Sequence, residues 1–175
     1  SKLAYQFLGG VLHNADALTA IFNPTVNSYK RIDAQVTLSG ATWSPNAITY
    51  GGNNRTHMVR VPDAGRFELR LMDGAVNPYL LQAGVLAAGL DGVASKRDPG
   101  KPLDINMYTH GHTLKGVRRL PSNLLDAIRL FEKSKVLRAG LSDALIDSYA
   151  KLKHQDWRNY SASISQWERE HTLDC

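Results

Sequence analysis

The sequence predicts an α+β fold in which a short antiparallel sheet packs with several helices. Three observations carry this prediction: a helical apolar pattern over residues 2–20, short strand patterns between residues 21 and 75, and helical patterns over most of residues 77–171. Separate runs of strands and helices are typical of α+β proteins.

The first segment has apolar residues at steps of three and four along residues 2–20, which predicts an amphipathic helix. Gly9 and Gly10 lie inside it, although each glycine costs about 1 kcal/mol relative to alanine in a helix interior. We interpret them as a point where the helix closely approaches another stretch of backbone. The turn at Asn23-Pro24 then ends this segment.

Four short strands are predicted in the second segment, at residues 34–38, 47–50, 58–61 and 66–71. The last alternates strictly between charged and apolar residues. Because side chains alternate across a strand, the two kinds of residue fall on opposite faces. The charged face holds Arg66, Glu68 and Arg70, and the apolar face holds Phe67, Leu69 and Leu71.

The third segment begins with Asn77-Pro78, which predicts a helix start with asparagine as the N-cap and proline at the first helical position. This helix continues through residues 83–93 and ends at 98–100. A polar loop follows to about Leu120. A second helix is predicted to begin at residues 121–123, and a last long helix covers residues 142–170.

Composition limits the possible classes of protein. The 175 residues suffice for one domain, and the single cysteine allows no internal disulfide. No apolar run approaches the roughly 20 residues of a membrane span, and the first residues lack a signal-peptide pattern. We therefore predict a cytoplasmic protein without a membrane partner. The net charge of +5 favours anionic partners or simply a solvated basic face.

The chemically informative feature is a group of arginines among short strands and glycine-rich turns, with one glutamate between two of them. Guanidinium groups bind phosphate and carboxylate through paired hydrogen bonds, and a lone glutamate among them suits Mg²⁺, which itself binds phosphate oxygens. The sequence therefore predicts a site for a polyphosphate and a metal. The residues are Arg31, Arg55, Arg60, Arg66, Arg70 and Glu68.

Two other interpretations of this segment stay open. One is an exposed strand edge with alternating salt-bridged charges. The other is single-stranded nucleic-acid binding, with Tyr29, Trp43 and Tyr50 as stacking platforms. No recognition-module motif supports the second, so we predict no nucleic-acid partner. His110-Gly111-His112 resembles a metal-binding pair, but a solvated loop is the favoured interpretation.

Several motifs in order along the chain resemble the glutamine synthetase family. The resemblance covers the whole chain and is sharpest over residues 5–110. Its motifs are Asn23–Arg31, Asn54–Thr56 followed by Arg60–Pro62, Arg66–Arg70, Asp73–Leu80 and Ala87–Gly92. The Gly51–His57 and Gln166–Arg169 segments resemble the branch often labelled type III or GlnT-like.

The resemblance implies a C-terminal portion of a glutamine synthetase catalytic domain, and so glutamine biosynthesis within nitrogen metabolism. ATP, glutamate and ammonia or a small amine would react through γ-glutamyl phosphate, with Mg²⁺ or Mn²⁺ as the metal. It also implies a role for each residue of the group. Arg31 and Arg70 would bind glutamate, Arg55 would stabilise the transferring phosphoryl group, Arg60 and Arg66 would bind ATP, and Glu68 would ligate the metal.

This sequence departs from the family pattern in two ways. No glutamate occurs in residues 32–40, where the family usually carries a flap glutamate, and Asp33 lies close to Arg31. Methylamine or another amine could therefore replace ammonia. In addition, the N-terminal domain and first catalytic strands of the family are not found before Ser1. We therefore expect residues 1–175 to form a partial catalytic domain that is inactive alone.

Three further expectations follow from the resemblance. The full-length protein would form a homo-oligomeric ring. Tyr108 lies where some relatives carry a nucleotidylated tyrosine, although an ordinary loop tyrosine is the favoured interpretation. A non-catalytic chain that keeps the scaffold for assembly or regulation is the alternative to an enzyme.

Overall fold

The computed structural model describes residues 1–32, 34 and 44–172, and over these residues the chain has the predicted α+β fold. Helices dominate, and one small sheet lies between the first and second groups of helices in the sequence. In chain order the helices are α1 (Lys2–His13), α2 (Ala15–Phe22), α3 (Pro78–Ala94), α4 (Met107–His110), α5 (Leu124–Lys133), α6 (Lys135–Leu141), α7 (Asp143–Ser161) and α8 (Gln166–His171).

Two of the predicted helices are each divided in the structure. The helix predicted over residues 2–20 is broken at Asn14, whose side-chain amide donates to the carbonyl of Gly10 and so ends α1. The helix predicted over residues 142–170 is also wrong in its extent, because Ser165 caps a separate α8 with a reciprocal capping box to Glu168. The apolar stripe continues across both breaks, which is why periodicity alone did not reveal them.

The predicted start of α3 is confirmed. The side chain of Asn77 accepts hydrogen bonds from the backbone amides of Tyr79 and Leu80 at 2.9 and 3.2 Å, and Pro78 occupies the first helical position. The start of α5 follows the same rule, because Asn123 accepts from the amide of Asp126. Both asparagines satisfy amides that would otherwise lack a partner at a helix N-terminus.

The sheet has three strands: β1 (Tyr50–Gly51), β2 (Val59–Asp63) and β3 (Arg66–Leu69). It is mixed rather than wholly antiparallel, because β1 runs parallel to β2 while β2 and β3 form an antiparallel hairpin. Residues 52–58 leave the sheet, contact the 103–107 segment and return, so that β2 enters in the direction of β1.

The other strand predictions have different outcomes. In the 47–50 segment only Tyr50 belongs to a strand, whereas Ala47 forms an isolated bridge with Arg119. The strand predicted at residues 34–38 lies outside the described residues, apart from Ala34, which is not in a strand.

The core is built where α1 and α2 pack against the later helices. Contacts join α1 to α3, α2 to α5, α3 to α6, and α5 to α7. Phe22, Leu124, Ile128 and Phe131 are completely buried in this core. The side chains of Phe67 and Leu69 from β3 pack against it from the sheet side, which leaves the charged face of β3 directed away from the core.

The glycines of α1 mark the predicted close approach of backbones. A Cβ placed on Gly10 would lie 2.1 Å from the carbonyl oxygen of Ala88 and 2.7 Å from Cα of Gly92. A Cβ on Gly9 would lie 2.6 Å from the carbonyl oxygen of Arg97. Because these neighbours are backbone atoms, they cannot rotate away, and the helices touch only because these positions lack side chains.

Replacement of Gly10 by alanine should therefore lower the free energy of unfolding by about 1–3 kcal/mol, the range typical of overpacking. Thermal unfolding would show the effect as a lower Tm. The control is Gly74→Ala, because a Cβ on Gly74 would meet no atom within 4 Å. Equal melting temperatures for the two variants would mean that the α1–α3 contact does not need a glycine.

None of the described helices is both long and apolar enough to cross a membrane.

Candidate functional site

The β2–β3 hairpin brings part of the predicted arginine group together. Arg60 lies directly opposite Glu68 in the antiparallel register, so their side chains share one face of the sheet. Nη1 of Arg60 donates to Oε2 of Glu68 at 2.6 Å, and Nε of Arg70 contacts Oε1 of Glu68 at 3.2 Å. Each oxygen of the carboxylate therefore faces a different guanidinium group.

This cluster carries an excess of positive charge. Two guanidinium groups share one carboxylate, and the side chains of Arg60 and Arg70 are only 13% and 24% exposed. Nη1 of Arg70 is buried and has no hydrogen-bond partner among the described residues. A buried donor without a partner is costly, so a ligand oxygen that reached this atom after a side-chain shift would relieve that cost.

Asn53 adds a second restraint on the cluster. Its side-chain oxygen accepts from Nε of Arg60 at 2.8 Å, while Glu68 accepts from Nη1 of the same guanidinium group. Arg60 is thus held by two acceptors. This arrangement differs from an exposed edge of alternating ion pairs, because one of its cations is nearly buried and oriented by a neutral amide.

Arg31 is hydrogen-bonded to the segment that follows β3. Its Nη2 donates to the side-chain oxygen of Asn23 at 3.2 Å and to the carbonyl of Leu71 at 3.0 Å. Its Nε is buried without a partner among the described residues. Burial lowers the pKa of Arg31 and the charge of Asp73 opposes this effect, but an arginine still remains a cation at neutral pH.

The sequence analysis missed the role of Asn23 in holding Arg31. Asn23 is completely buried, and its amide also donates to the carbonyl of Leu71 at 3.2 Å. It therefore links the end of α2, the Arg31 guanidinium and the residue after Arg70. The sequence showed only a turn at Asn23-Pro24, because the partner is 48 residues away.

Arg66 does not join the Glu68 cluster through any contact of its own. Its Nη2 pairs instead with Asp63 at 2.9 Å across the hairpin turn, and both side chains are largely exposed. A register irregularity between Arg60 and Asp63 separates this pair from the Arg60–Glu68 pair. Exposed ion pairs of this kind contribute little to stability, so Arg66 is free to exchange Asp63 for another anion.

Arg55 projects from the turn between β1 and β2. It is exposed, and among the described residues no ion pair or hydrogen bond holds its side chain. The residues on either side of it are held tightly. Asn54 accepts from the backbone amide and hydroxyl of Thr56 at 2.9 and 2.7 Å, and its amide donates to the carbonyl of Ile105 at 2.8 Å.

His57 is a buried residue of this turn to which the sequence analysis assigned no role. Its side chain is completely buried, with Nδ1 2.9 Å from the hydroxyl of Thr49 and Nε2 3.2 Å from the carbonyl of Ile105. Because a carbonyl only accepts, Nε2 carries the proton and donates it to Ile105. Burial lowers the pKa of His57 and so favours the neutral ring, whereas the hydrogen bond to Ile105 and the charge of Asp104 oppose this effect.

Glu68 suits a divalent metal in its chemistry. Mg²⁺ is commonly held by one or two carboxylates together with substrate phosphates and water, and Glu68 is 40% exposed on the charged face. In the part of the chain that the structure describes, no group of three or more His, Cys, Asp or Glu residues is placed to hold a metal. Glu68 would thus supply one ligand.

The remaining sequence candidates are placed as follows. Tyr29 and Tyr50 are buried and so cannot stack on nucleic-acid bases, while Trp43 lies outside the described residues. His110 and His112 are exposed, and Nδ1 of His110 is 2.7 Å from the hydroxyl of Thr109. Asp33 and almost all of the glutamate-free 32–40 segment lie outside the described residues.

A cleft of about 450 Å³ lies between α1 and residues 98–118. None of the six predicted site residues lines it. Arg60, Arg66, Arg70 and Glu68 belong to the β2–β3 hairpin and the residue after it, Arg55 to the turn before it and Arg31 to the segment after α2. All six lie outside the lining of the cleft.

Paired guanidinium groups, a carboxylate between them and buried donors that lack a partner among the described residues form a face whose chemistry suits phosphate and carboxylate ligands. A family model described as glutamine synthetase, catalytic domain, matches residues 1–172. The chain belongs to this glutamine synthetase catalytic-domain family.

Individual relatives agree with the family match. The chain is 60% identical over 168 residues to a glutamine synthetase from Rhizobium leguminosarum bv. phaseoli, which covers 96% of this chain and 39% of the relative. It is 46% identical over 171 residues to a glutamate–methylamine ligase from Methyloversatilis universalis, covering 96% of this chain and 38% of that protein.

Solved structures show the same fold. A complex described as GmaS/ADP, conformation 1, superposes with a TM-score of 0.93 at 59% identity and covers 100% of this chain and 40% of that chain. Apo GmaS without ligand gives a TM-score of 0.90 at 54% identity, with 100% and 39% covered. The chain spans about two fifths of the length of these relatives.

Proposed function

We propose that this chain is the glutamate- and ATP-phosphate-binding part of an ATP-dependent glutamate–ammonia ligase. The observation that carries the proposal is Glu68 held between Arg60 and Arg70, with an unpartnered buried donor on Arg70. This arrangement suits a carboxylate substrate and a metal-bound polyphosphate on one face. The similarity to glutamine synthetases supports glutamate and ammonia as the substrates.

In the proposed reaction a γ-carboxylate oxygen of glutamate attacks the γ-phosphorus of ATP, and ADP leaves. Ammonia then attacks the carbonyl carbon of γ-glutamyl phosphate, loses a proton and displaces phosphate. Arg55 stabilises the charge on the phosphoryl group as it transfers, since cations at developing negative charge lower the barrier. Its side chain is exposed and has no hydrogen bond or ion pair among the described residues, which suits a group that binds only when substrate is present.

The other arginines have binding roles in this proposal. Arg70 takes the α-carboxylate of glutamate through its unpartnered Nη1, and Arg31 holds glutamate near the reacting carboxylate. Arg60 and Arg66 contact the phosphates of ATP. For Arg66 this requires exchange of the exposed Asp63 for phosphate, at little cost in stability.

Glu68 would hold the Mg²⁺ or Mn²⁺ ion, both of which favour carboxylate oxygens. Bound there, the metal would neutralise charge on the phosphate oxygens. In this proposal the chain places the Glu68 carboxylate between Arg60, which binds ATP, and Arg70, which binds glutamate. The other ligands would come from outside the described residues.

We further propose that residues 1–175 form a partial catalytic domain of a longer protein that assembles as a homo-oligomeric ring. The coverage of about two fifths of each relative supports this view. The N-terminal domain and first catalytic strands would then supply the remaining metal ligands, and the chain alone would lack activity. A cytoplasmic location and the absence of a nucleic-acid partner stay predictions of the sequence, as does any modification of Tyr108.

A second candidate is γ-glutamylamide synthesis with methylamine or another small amine in place of ammonia. Two observations favour it: residues 32–40 contain no glutamate, and a glutamate–methylamine ligase is 46% identical to this chain. Without a flap carboxylate to accept a proton from ammonium, the preference for ammonia over a methylated amine is weakened.

An amine panel on the full-length protein, with glutamate and ATP held constant, separates the candidates. We expect glutamine from ammonia with a higher kcat/KM than for methylamine or ethylamine, measured by ADP release and amide product. Equal or faster turnover with methylamine would replace the leading proposal with the second candidate. A folded ring that forms no amide with any amine would indicate a scaffold or regulatory protein.

A further inference from the structure

Arg55 is the one member of the proposed site whose side chain has no hydrogen bond or ion pair among the described residues, yet hydrogen bonds hold the residues on both sides of it. Asn54 on one side and His57 on the other both donate to the same acceptor, the carbonyl of Ile105, at 2.8 and 3.2 Å. These two residues bracket Arg55 within a four-residue turn. The turn is thus clamped onto a segment about 50 residues away.

Neighbouring contacts prevent the turn from sliding along that segment. The hydroxyl of Thr56 accepts from the backbone amide of Met107 at 2.9 Å, and the amide of Leu103 donates to the carbonyl of Tyr50 at 3.0 Å. A Cβ on Gly51 would lie 2.6 Å from Cδ2 of His57. The imidazole therefore lies close against the backbone of Gly51, at a position that only glycine allows.

The arrangement specifies the protonation state of His57 as well as its position. Its Nε2 must donate to Ile105, while Nδ1 must accept from the hydroxyl of Thr49. A neutral ring satisfies both demands. A buried ring that is fully occupied by two structural partners has no atom left for proton transfer to a substrate.

We propose that Asn54 and His57 are positioning residues that aim Arg55 at the transferring phosphoryl group by clamping its turn to the carbonyl of Ile105. The inference rests on the proposed function of Arg55. A phosphoryl-transfer site depends almost wholly on positioned charge, and a misplacement of about 1 Å can cost about 100-fold in rate. An exposed arginine on a loose turn would lose that placement.

The test is a double-mutant cycle in the full-length protein, with kcat measured at saturating ATP and glutamate. His57→Ala should lower kcat by about 10- to 100-fold and leave the KM for glutamate close to the wild-type value. His57→Gln keeps a donor near Nε2 and should restore part of the loss. Asn54→Ala removes the second donor to Ile105 from a half-buried site and serves if His57→Ala fails to fold.

The cycle is completed by Arg55→Ala and by each double variant. If the clamp acts through Arg55, His57→Ala or Asn54→Ala has no further effect on kcat once Arg55 is absent. If Arg55→Ala has a strongly reduced kcat and each second substitution lowers it further by its full single-variant factor, the positioning role is overturned and the proposed role of Arg55 is kept. Wild-type kcat in Arg55→Ala would overturn the proposed role of Arg55 and the positioning inference with it.

Discussion

Replacement of Arg55 by alanine in the full-length protein is expected to lower kcat by about 100- to 1,000-fold, the loss typical when one preorganised group that stabilises transition-state charge is removed. The KM values for ATP and glutamate should change far less, because the proposed contact forms with the transferring group. Steady-state kinetics with ADP release as the signal would measure both. Arg55→Lys should recover little, since a lysine cannot offer the two parallel donors of a guanidinium group.

The structure separates the expected effect on kcat from any effect on stability. Because the Arg55 side chain is exposed and makes no hydrogen bond or ion pair within the described residues, its removal should leave Tm nearly unchanged. Arg129→Ala is the matched control, since Arg129 is exposed on α5 and only weakly paired with Asp126 at 3.4 Å. A large fall in Tm for Arg55→Ala, or equal kcat in both variants, would contradict the proposed role.

Local rules predicted the parts of the fold that depend on neighbours in sequence. The alternation in residues 66–71 correctly separated a charged face from an apolar one, because strand geometry permits no other outcome. The cap formed by Asn77 and Pro78 was equally local. The glycine pair in the first helix gave a correct tertiary prediction, because a Cβ at either position would meet the backbone of a neighbouring segment.

The helix breaks and the parallel strand could not be predicted in the same way. Asn14 ends α1 by donating to Gly10 while the apolar stripe continues into α2. The direction of β1 is set by the excursion of residues 52–58 toward the 103–107 segment. Both depend on side-chain hydrogen bonds and long-range contacts, which hydrophobic periodicity does not record.

The candidate site shows the same division. Residue chemistry alone predicted the arginines as anion ligands and Glu68 as a metal ligand, and the structure brings Arg60, Arg70 and Glu68 together. It did not identify Asn23, Asn53 or His57, because each acts through a specific hydrogen bond to a group elsewhere in the chain. The signal that could have found His57 was its place two residues after Arg55.

Glu68 has two competing interpretations, since a carboxylate between two arginines is also a common way to hold a hairpin together. In the described structure both of its oxygens face guanidinium groups. A metal would therefore have to share or displace those contacts. If phosphate and the α-carboxylate of glutamate engage Arg60 and Arg70, the oxygens of Glu68 become available as the substrates arrive.

The charge-neutral, shape-conserving variant Glu68→Gln separates the two roles. In the full-length protein we expect kcat to fall, and the Mg²⁺ concentration for half-maximal activity to rise by at least about 10-fold, since loss of a ligand should cost no less than loss of a supporting group. Metal-free ADP should bind about fivefold more tightly, because the substitution removes a repulsion of about 1 kcal/mol between the carboxylate and the phosphates in water-like surroundings. Activity titrated with Mg²⁺ would measure the metal requirement, and calorimetry with and without Mg²⁺ would measure the binding of ADP.

Asp63→Asn is the matched control, because it removes a carboxylate from an arginine pair on the same hairpin, at 2.9 Å, where both partners are exposed. It should leave the Mg²⁺ requirement unchanged. The opposite signs expected for Glu68→Gln make the result decisive: a structural ion pair would weaken binding of ADP with and without metal alike as the hairpin loosens. Only a metal ligand set among anion-binding arginines weakens the metal-dependent complex while it strengthens the metal-free one.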